Sequence, residues 1–376
     1  MYIGIPTEVS IGETRVAATP ETVKKFTANG FHTVLVQSGA GAGASITDDD
    51  FKQAGATIVN NAVELYSQSQ ILLKVRAPES SELQMIRKDA VLLGLLSPHQ
   101  TDGIAILANH GLTAFAMEKL PRISRAQSMD VLSSQANIAG YKAVLVAANV
   151  YQKFFPMLMT AAGTVKAARI LVLGAGVAGL QAIATAKRLG AVIEAFDVRP
   201  AAKEQVQSLG AKFVEVPLSD EERSQAETVG GYAREMSDDY KHRQGELVHQ
   251  RAIVADIIIT TALIPGRPAP VLINEKTVQA MKPGSVIVDM AVEAGGNCPL
   301  SELNKTVVKH GVHLVGIANL PALVATDSSA LYARNLMNFL NLMLDVDSGE
   351  FKLNREDEII AGTLVCTDGK AILNVK

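Results

Sequence analysis

The sequence has little of what several classes of protein need. Two cysteines, Cys298 and Cys366, are too few for a disulfide scaffold and fit a protein from a reducing compartment. A net charge of -3 argues against nucleic-acid binding, which requires a basic face for phosphates. Tryptophan is absent and aromatic residues make up only 5% of the chain, so a surface that binds ligands by ring stacking is not expected.

A long hydrophobic run is also lacking. A bilayer span needs about 20 consecutive apolar residues, and the nearest candidate, residues 170–186, is interrupted by three glycines and Gln181. The N-terminus lacks the charged start and apolar core of a signal peptide, which predicts a mature cytoplasmic start. The seven histidines show no metal-ligand spacing, so we expect no metal site.

What the sequence has instead is a regular alternation of short apolar runs and helical segments. A first series of runs covers residues 2–5, 33–36, 71–75, 91–96 and 112–117. A second series covers residues 170–173, 192–196, 213–216, 257–260, 286–290 and 312–316. Such alternation predicts βαβ units in parallel sheets, with helices on both faces because the runs are continuously apolar. We therefore predict two Rossmann-like, doubly wound α/β domains.

Two long helical stretches, near residues 130–155 and 328–344, are expected to join these domains. The second follows the second sheet, so we predict that the C-terminal tail returns to the first domain. Asp368-Gly369 between apolar runs predicts a hairpin in that tail. The predicted domains are residues 1–132 with 325–376, and residues 133–324.

The strongest local motif is Gly174-Ala-Gly176-Val-Ala-Gly179, which follows a predicted strand and begins a helix of small residues. Gly174 permits a tight turn, Gly176 lets a pyrophosphate approach the backbone, and Gly179 allows close packing of helix on strand. The N–H groups at the helix start would bind that anion. A second GxGxxA match, at residues 39–44, precedes an acidic stretch and is interpreted as a loop before a short helix.

The strand that follows this motif ends at Asp197. An acid there accepts hydrogen bonds from the adenosine ribose and repels a 2′-phosphate, which predicts NAD(H) rather than NADP(H). Arg199 favours the opposite preference, but we expect it to lie farther from the ribose. Two later loops, residues 260–266 and 295–298, follow strands at the edge where ligands bind, and either line the cofactor or form structural turns.

A polar loop at residues 121–137 contains two arginines, Gln127, Asp130 and Ser133. Ser124 and Gln127 match a capping box, and Asp130 is a candidate cap for the helix that follows. Capping leaves the two arginines unexplained, and a nicotinamide amide needs donors and acceptors of this kind. From the residues alone, a capped helix start and a ligand-contacting loop both stay open.

These motifs together resemble the peripheral NAD(H)-binding component, domain I, of proton-translocating nicotinamide nucleotide transhydrogenases. The resemblance covers nearly the whole chain and is carried by residues 12–20, 121–130, 174–179, 230–233 and 260–270. It implies direct hydride transfer between NADH on this chain and NADP(H) on a partner component, coupled to proton flow by a membrane component. It further implies a homodimer that is cytoplasmic and attached to the inner membrane through these partners.

The resemblance also assigns roles to residues. It implies that Arg122, Gln127, Asp130 and Ser133 hold the nicotinamide and its ribose, the first three as catalytic residues. Gly231 and Tyr232 match a mobile loop that closes over the cofactor. The other cofactor contacts that we expect are Gly174, Gly176, Val177, Ala178, Gly179, Asp197, Val198, Arg199, Ala262 and Leu263.

Alanine dehydrogenase is similar over the same length and shares the Arg15 region, a lysine like Lys74 and the glycine motif. Its reaction needs a base for the imine and the water, and its catalytic histidine would fall near Leu96, which cannot carry a proton. His99 would lie three residues farther along, on the opposite face of the same strand. Hydride transfer between two nicotinamides needs alignment rather than a base, so Leu96 and the 121–130 loop favour a transhydrogenase.

Overall fold

The computed structural model describes residues 1–216, 237–264 and 266–372, and forms two compact units. The first unit comprises residues 1–135 and 321–376, and the second comprises residues 136–320. The predicted flap residues Gly231 and Tyr232 lie outside the described residues. In the described ranges, no helix combines the length and the apolar character that crossing a bilayer requires.

The first unit is built on an eight-stranded sheet. Its spatial order is Lys370–Ala371, Leu364–Thr367, Thr113–Ala116, Val91–Leu95, Ile71–Arg76, Tyr2–Ile5, Thr33–Gln37 and Thr57–Val59. All neighbours pair in parallel except the C-terminal hairpin, whose strand Leu364–Thr367 runs antiparallel to Thr113–Ala116. The first six strands of the chain thus follow the order 3-2-1-4-5-6 of a Rossmann sheet, and the C-terminal segment extends it.

Helices cover both faces of this sheet. Along the chain they are Pro20–Thr27, Asp48–Gln53, Ala62–Gln68, Ser80–Leu83, Thr101–His110, Ala325–Leu340 and Glu358–Thr363, with short 3-10 turns at Ala42–Ala44, Met117–Lys119, Ser124–Met129 and Leu320–Val324. Successive strand residues enter different apolar clusters: Ile71 and Leu73 pack on one face of the sheet and Leu72 on the other. The continuous apolar runs of the sequence are explained by this two-sided burial.

The second unit repeats the architecture on a seven-stranded sheet. The order is Lys212–Val214, Val192–Phe196, Arg169–Leu173, Ile257–Thr260, Val286–Asp289, Val312–Val315 and Thr306–Lys309, with only the last strand antiparallel. Its helices are Val177–Arg188, Ala202–Ser208, Asp238–Ala252 and Glu275–Ala280, with a 3-10 turn at Val292–Ala294. The helix Val131–Val150 contains the boundary between the units. The strand order reverses between the neighbouring strands Arg169–Leu173 and Ile257–Thr260. In open parallel sheets, ligands bind outside the carboxyl ends of the strands at such a point.

A two-stranded ribbon extends from the second unit outside its main sheet. Leu158–Thr160 and Gly163–Val165 pair only with each other, and every residue from 156 to 166 is exposed. Met157 and Met159 are 60% and 72% exposed. The sequence pattern predicted neither this ribbon nor the short edge strands Thr57–Val59 and Thr306–Lys309.

Candidate functional site

The glycine turn of the second unit has the geometry that the sequence predicts. Gly174 has a φ of +97°, and its N–H donates to the backbone oxygen of Phe196 at 2.9 Å. A Cβ on Gly174 would lie 2.5 Å from Thr261 Oγ1, and one on Gly179 would lie 1.9 Å from the oxygen of Gly174. Side chains are therefore excluded at both positions, as close packing of strand, turn and helix requires.

Gly176 lies in different surroundings. It caps the helix Val177–Arg188, and among the described residues no atom beyond its two chain neighbours lies within 4 Å of the position that a Cβ would occupy. The first N–H groups of a helix have no partner within the helix and attract anions. The open space beside Gly176 and this helix start fit the pyrophosphate of a dinucleotide. Val177 and Ala178, at the start of the helix, are exposed and half-buried respectively.

Asp197 lies at the end of the neighbouring strand and contacts the glycine turn directly. Its Oδ2 accepts a hydrogen bond from the N–H of Ala175 at 2.7 Å. Arg199 folds back onto it, donating from Nε to Oδ1 at 2.9 Å and from Nη2 to Oδ2 at 2.8 Å. Arg199 therefore neutralises part of the charge of Asp197, a contact that the sequence did not predict. Val198 lies between them, half-buried.

The loop after strand Ile257–Thr260 approaches the same turn. Thr261 Oγ1 donates to the backbone oxygen of Gly174 at 2.9 Å, which places Ala262 and Leu263 next to the glycine motif. Leu263 is 48% exposed. The structure thus brings together the predicted contacts of residues 174–179, 197–199 and 262–263 at one edge of the sheet.

Asn297 holds this loop in place, a role that the sequence did not predict. Its buried Nδ2 donates to the backbone oxygens of Ala262 and Pro270, both at 2.8 Å. Asn297 is itself held by Asp289, whose Oδ1 accepts from the N–H of Asn297 at 3.1 Å. Of the two interpretations of residues 295–298, these contacts support a structural turn. The sequence signal for this turn was the small-residue "GGNC" composition of residues 295–298. The hydrogen-bond partners of Asn297 lie up to 35 residues away, so the sequence alone does not reveal them.

The polar loop of the first unit is a 3-10 segment, Ser124–Met129, followed by the helix that begins at Val131. Ala126 and Met129 are buried three residues apart, which leaves Gln127 exposed on the other side. The capping box predicted for Ser124 and Gln127 is absent, since no hydrogen bond among the described residues involves either side chain.

Asp130 caps the long helix, as one of the two interpretations of the loop predicted. Its Oδ1 accepts from the N–H of Ser133 at 2.9 Å, and its Oδ2 accepts from Ser133 Oγ at 2.5 Å. Arg122 is exposed. The second arginine, Arg125, has a structural role: it forms a bidentate pair with Asp357, at 2.6 and 2.9 Å. That pair lowers the pKa of Asp357.

A buried ionic cluster fills the corresponding edge of the first sheet. Lys74 lies 2.7 Å from Glu82 Oε1 and 3.4 Å from Glu8 Oε2, and Tyr66 donates its hydroxyl to Glu82. Burial raises the pKa of Glu8. Lys74 is fully buried, and the chain's own carboxylates are partners for two of its three N–H donors.

Arg15 is enclosed in the same way. It forms hydrogen bonds with Glu13 Oε1 and Oε2 at 2.7 and 2.6 Å and with Gln135 Oε1 at 2.8 Å. Leu96 is 3% exposed within an apolar cluster. The expectation that His99 continues the strand is wrong: the strand ends at Leu95, and His99 lies exposed in the turn that follows.

Comparisons with known proteins agree with this architecture. Residues 4–139 match the N-terminal domain of the alanine dehydrogenase/PNT family, and residues 143–374 match its C-terminal domain. The chain is 54% identical to an NAD(P) transhydrogenase subunit alpha protein of Rhodospirillum rubrum, over 99% of this chain and 98% of that protein.

The solved structures and the more distant relatives follow the same pattern. A crystal structure of transhydrogenase from Sinorhizobium meliloti matches with a TM-score of 0.89 at 47% identity, covering 99% of this chain and 100% of that one. Alanine dehydrogenase of Mycolicibacterium smegmatis is 32% identical over 99% of this chain and 95% of that protein. Similarity is thus greater to the transhydrogenase proteins than to this dehydrogenase.

Proposed function

Since this chain belongs to the alanine dehydrogenase/PNT family, we propose that it is the NAD(H)-binding subunit of a proton-translocating transhydrogenase. In this proposal hydride passes directly between NAD(H) on this chain and NADP(H) on a partner component. A membrane component couples the transfer to proton movement and attaches the chain peripherally to the inner membrane. The observation that carries the proposal is the exposed Gln127 close to Asp130, which caps the helix, in a chain with Leu96 where the related dehydrogenase needs a base.

The second unit supplies the groups that would hold the dinucleotide. The open helix start at Gly176 would receive the pyrophosphate, and Asp197 would accept hydrogen bonds from the adenosine ribose. Thr261, bonded to the oxygen of Gly174, keeps Ala262 and Leu263 beside that site. The carboxylate of Asp197 would favour NAD(H) over NADP(H), because it would repel a 2′-phosphate. The ion pair with Arg199 reduces the charge of that carboxylate, so the proposed preference for NAD(H) is modest rather than absolute.

The first unit supplies orienting groups rather than an acid or a base. When bound, the nicotinamide ring gives or accepts a hydride, a reaction that requires alignment and exclusion of water. Gln127 offers both a donor and an acceptor for a carboxamide, and Asp130 is held rigidly by Ser133. Arg122 adds an exposed cation on the same loop. The proposed roles of these residues therefore lie in positioning the ring.

The buried clusters argue against amino-acid oxidation. A dehydrogenase of this family would need cationic groups for a carboxylate and a base for the imine. Here Lys74 is enclosed by Glu8 and Glu82, and Leu96 lies in an apolar cluster. Opening the Lys74 cluster for a substrate would leave buried charges unpaired, which costs several kcal/mol.

We also propose that the subunit forms a homodimer. The ribbon of residues 158–165 carries no charged side chain, and Met159 within it and Met157 just before it are exposed. A two-stranded ribbon alone is only marginally stable in water, and exposed apolar patches mark protein interfaces. A groove of about 540 Å³ at its base is lined by Phe154, Phe155 and Pro156 together with the cationic Lys153 and Arg188. In this proposal a second copy of the chain covers the ribbon and the apolar part of this groove.

The decisive experiment combines this chain with a purified NADP(H)-binding component of a transhydrogenase. We expect hydride transfer from NADPH on that component to an NAD⁺ analogue, followed through the distinct absorbance of the reduced analogue. Neither protein alone should catalyse it. Absence of transfer at saturating partner, with NADH binding intact, would contradict the proposal, and oxidation of alanine by the chain alone would establish the dehydrogenase instead.

A further inference from the structure

The helix Ala325–Leu340 carries two asparagines, one turn apart, that both bond to the polar loop of the first unit. Asn335 and Asn338 donate from Nδ2 to the backbone oxygen of Ser128, at 2.8 and 3.1 Å. Asn335 is only 8% exposed, whereas Asn338 is half-buried and its bond lies at the surface. Asn335 also accepts a hydrogen bond through Oδ1 from Ser134 Oγ, at 2.7 Å.

The amide of Asn335 therefore connects both flanks of the loop. Ser128 follows Gln127 in the 3-10 segment, and Ser134 lies in the first turn of the helix that Asp130 caps. One buried side chain thus sets the distance between the 3-10 segment and the first turn of the helix. Short 3-10 segments have poor internal hydrogen-bond geometry and depend on such external contacts.

The hydrogen bonds of the two asparagines differ in whether water can replace them. Water can take over the bond of Asn338 because that bond lies at the surface. Removing Asn335 leaves the half-buried hydroxyl of Ser134 with the backbone oxygen of Val131, at 3.2 Å, as its remaining acceptor, and the donor from Asn335 to the 3-10 segment is lost. Loss of Asn335 should therefore release the loop, while loss of Asn338 should not.

We propose that Asn335 is a positioning residue that sets the placement of Gln127 and Asp130 for hydride transfer. The expected effect on hydride transfer rests on the proposed function, whereas the expected effect on the position of the loop does not. Asn335 acts through Ser128 and Ser134 and touches no reacting atom. A displacement of about 1 Å in a reacting geometry can cost roughly a hundredfold in rate, so a small shift of the loop is sufficient.

The kinetic test compares Asn335→Ala with the matched control Asn338→Ala, each combined with the NADP(H)-binding component. We expect Asn335→Ala to slow hydride transfer at least tenfold while the Kd for NADH changes less than twofold. Asn338→Ala should change both by less than twofold. Ser134→Ala, which removes only one of the two bonds, should give an intermediate rate. Parallel loss of rate and NADH affinity in Asn335→Ala would overturn the proposal.

A second measurement separates this proposal from the proposed function. Amide hydrogen exchange of the chain alone reports on the loop through the N–H groups of Ala126 and Asp130, which donate to the backbone oxygens of Ile123 and Gln127. Exchange at both should rise at least tenfold in Asn335→Ala and stay unchanged in Asn338→Ala. Unchanged exchange in Asn335→Ala refutes the positioning role. If the wild type transfers no hydride but exchange behaves as expected, only the proposed function fails.

Discussion

At the scale of single residues, Asp197 shows how a predicted site residue acquires a second partner in the fold. The spacing from the glycine motif predicts a ribose-binding carboxylate, and the structure places that carboxylate against Ala175 and Arg199. The pairing of Asp197 with Arg199 depends on side-chain rotamers, which spacing alone does not determine. In the proposed function, cofactor preference is consequently a property of the pair and not of the acid alone.

We predict that Asp197→Asn lowers NADH affinity at least tenfold and raises affinity for NADPH. The amide loses the charge that strengthens ribose hydrogen bonds, worth about 1.5–3 kcal/mol, and Arg199 becomes available to a 2′-phosphate. Fluorescence titration with each nucleotide measures both changes. Glu194→Gln, on the same strand, is the control and should leave both affinities unchanged. If Asp197→Asn also leaves both unchanged, the ribose binds elsewhere.

At the scale of elements, the pattern of the sequence predicted the buried strands and missed the exposed ones. Runs such as residues 192–196 and 257–260 were predicted within a residue because burial on both faces requires uninterrupted apolar residues. The ribbon of residues 158–165 and the edge strand Thr306–Lys309 have no buried face of that kind, so no apolar run marks them. Strand pairing at an edge is decided by neighbours that local sequence does not contain.

The pair between Arg125 and Asp357 joins the polar loop to the helix Glu358–Thr363 and predicts a pH-dependent stability. The Arg125 guanidinium lowers the pKa of Asp357 below its ordinary value of 3.8. The pair therefore contributes its full stability above about pH 4, and loses it as the pH falls through the lowered pKa.

We expect Asp357→Asn to reduce the Tm by a few degrees at pH 7, because it removes the ion pair while an asparagine can still cap the helix. Thermal unfolding from pH 7 to pH 3 measures the change. The difference from wild type should begin to shrink below about pH 4, where the carboxyl of Asp357 takes up a proton in the unfolded chain, and should vanish as the pH falls through the lowered pKa of the folded state. Glu356→Gln, at the exposed preceding position, serves as control. A difference that stays constant down to pH 3 would rule out the ion pair as its source.

At the scale of the whole molecule, local motifs predicted the geometry of the glycine turn, whereas contacts between distant residues were not predicted. The glycine motif and Asp197 lie within one βαβ unit, whose geometry is regular enough to infer. The bonds from Asn297 to Ala262 and Pro270, and the enclosure of Lys74 by Glu8, join segments far apart in the chain. These contacts arise from tertiary packing and become visible only in three dimensions.

The exposed ribbon gives a prediction for assembly. Replacing Met157 and Met159 together by aspartate should convert a dimer of the full chain into a monomer, because charges would be buried in an apolar interface. Sedimentation equilibrium measures the mass of each variant. Val308→Asp, at a site 57% exposed in the edge strand, should remain dimeric. A wild type that is monomeric at micromolar concentration would contradict the proposed dimer.

The division of the chain has a consequence for its biosynthesis. The second unit is a continuous stretch, residues 136–320, whereas the first needs residues beyond 320 to complete its sheet and its long covering helix. During translation, every strand of the second unit is therefore synthesised before the last strands of the first unit. Until then, one edge of the strand Thr113–Ala116 in the first unit stays unpaired. A chaperone that binds this edge during translation would protect the last step of folding.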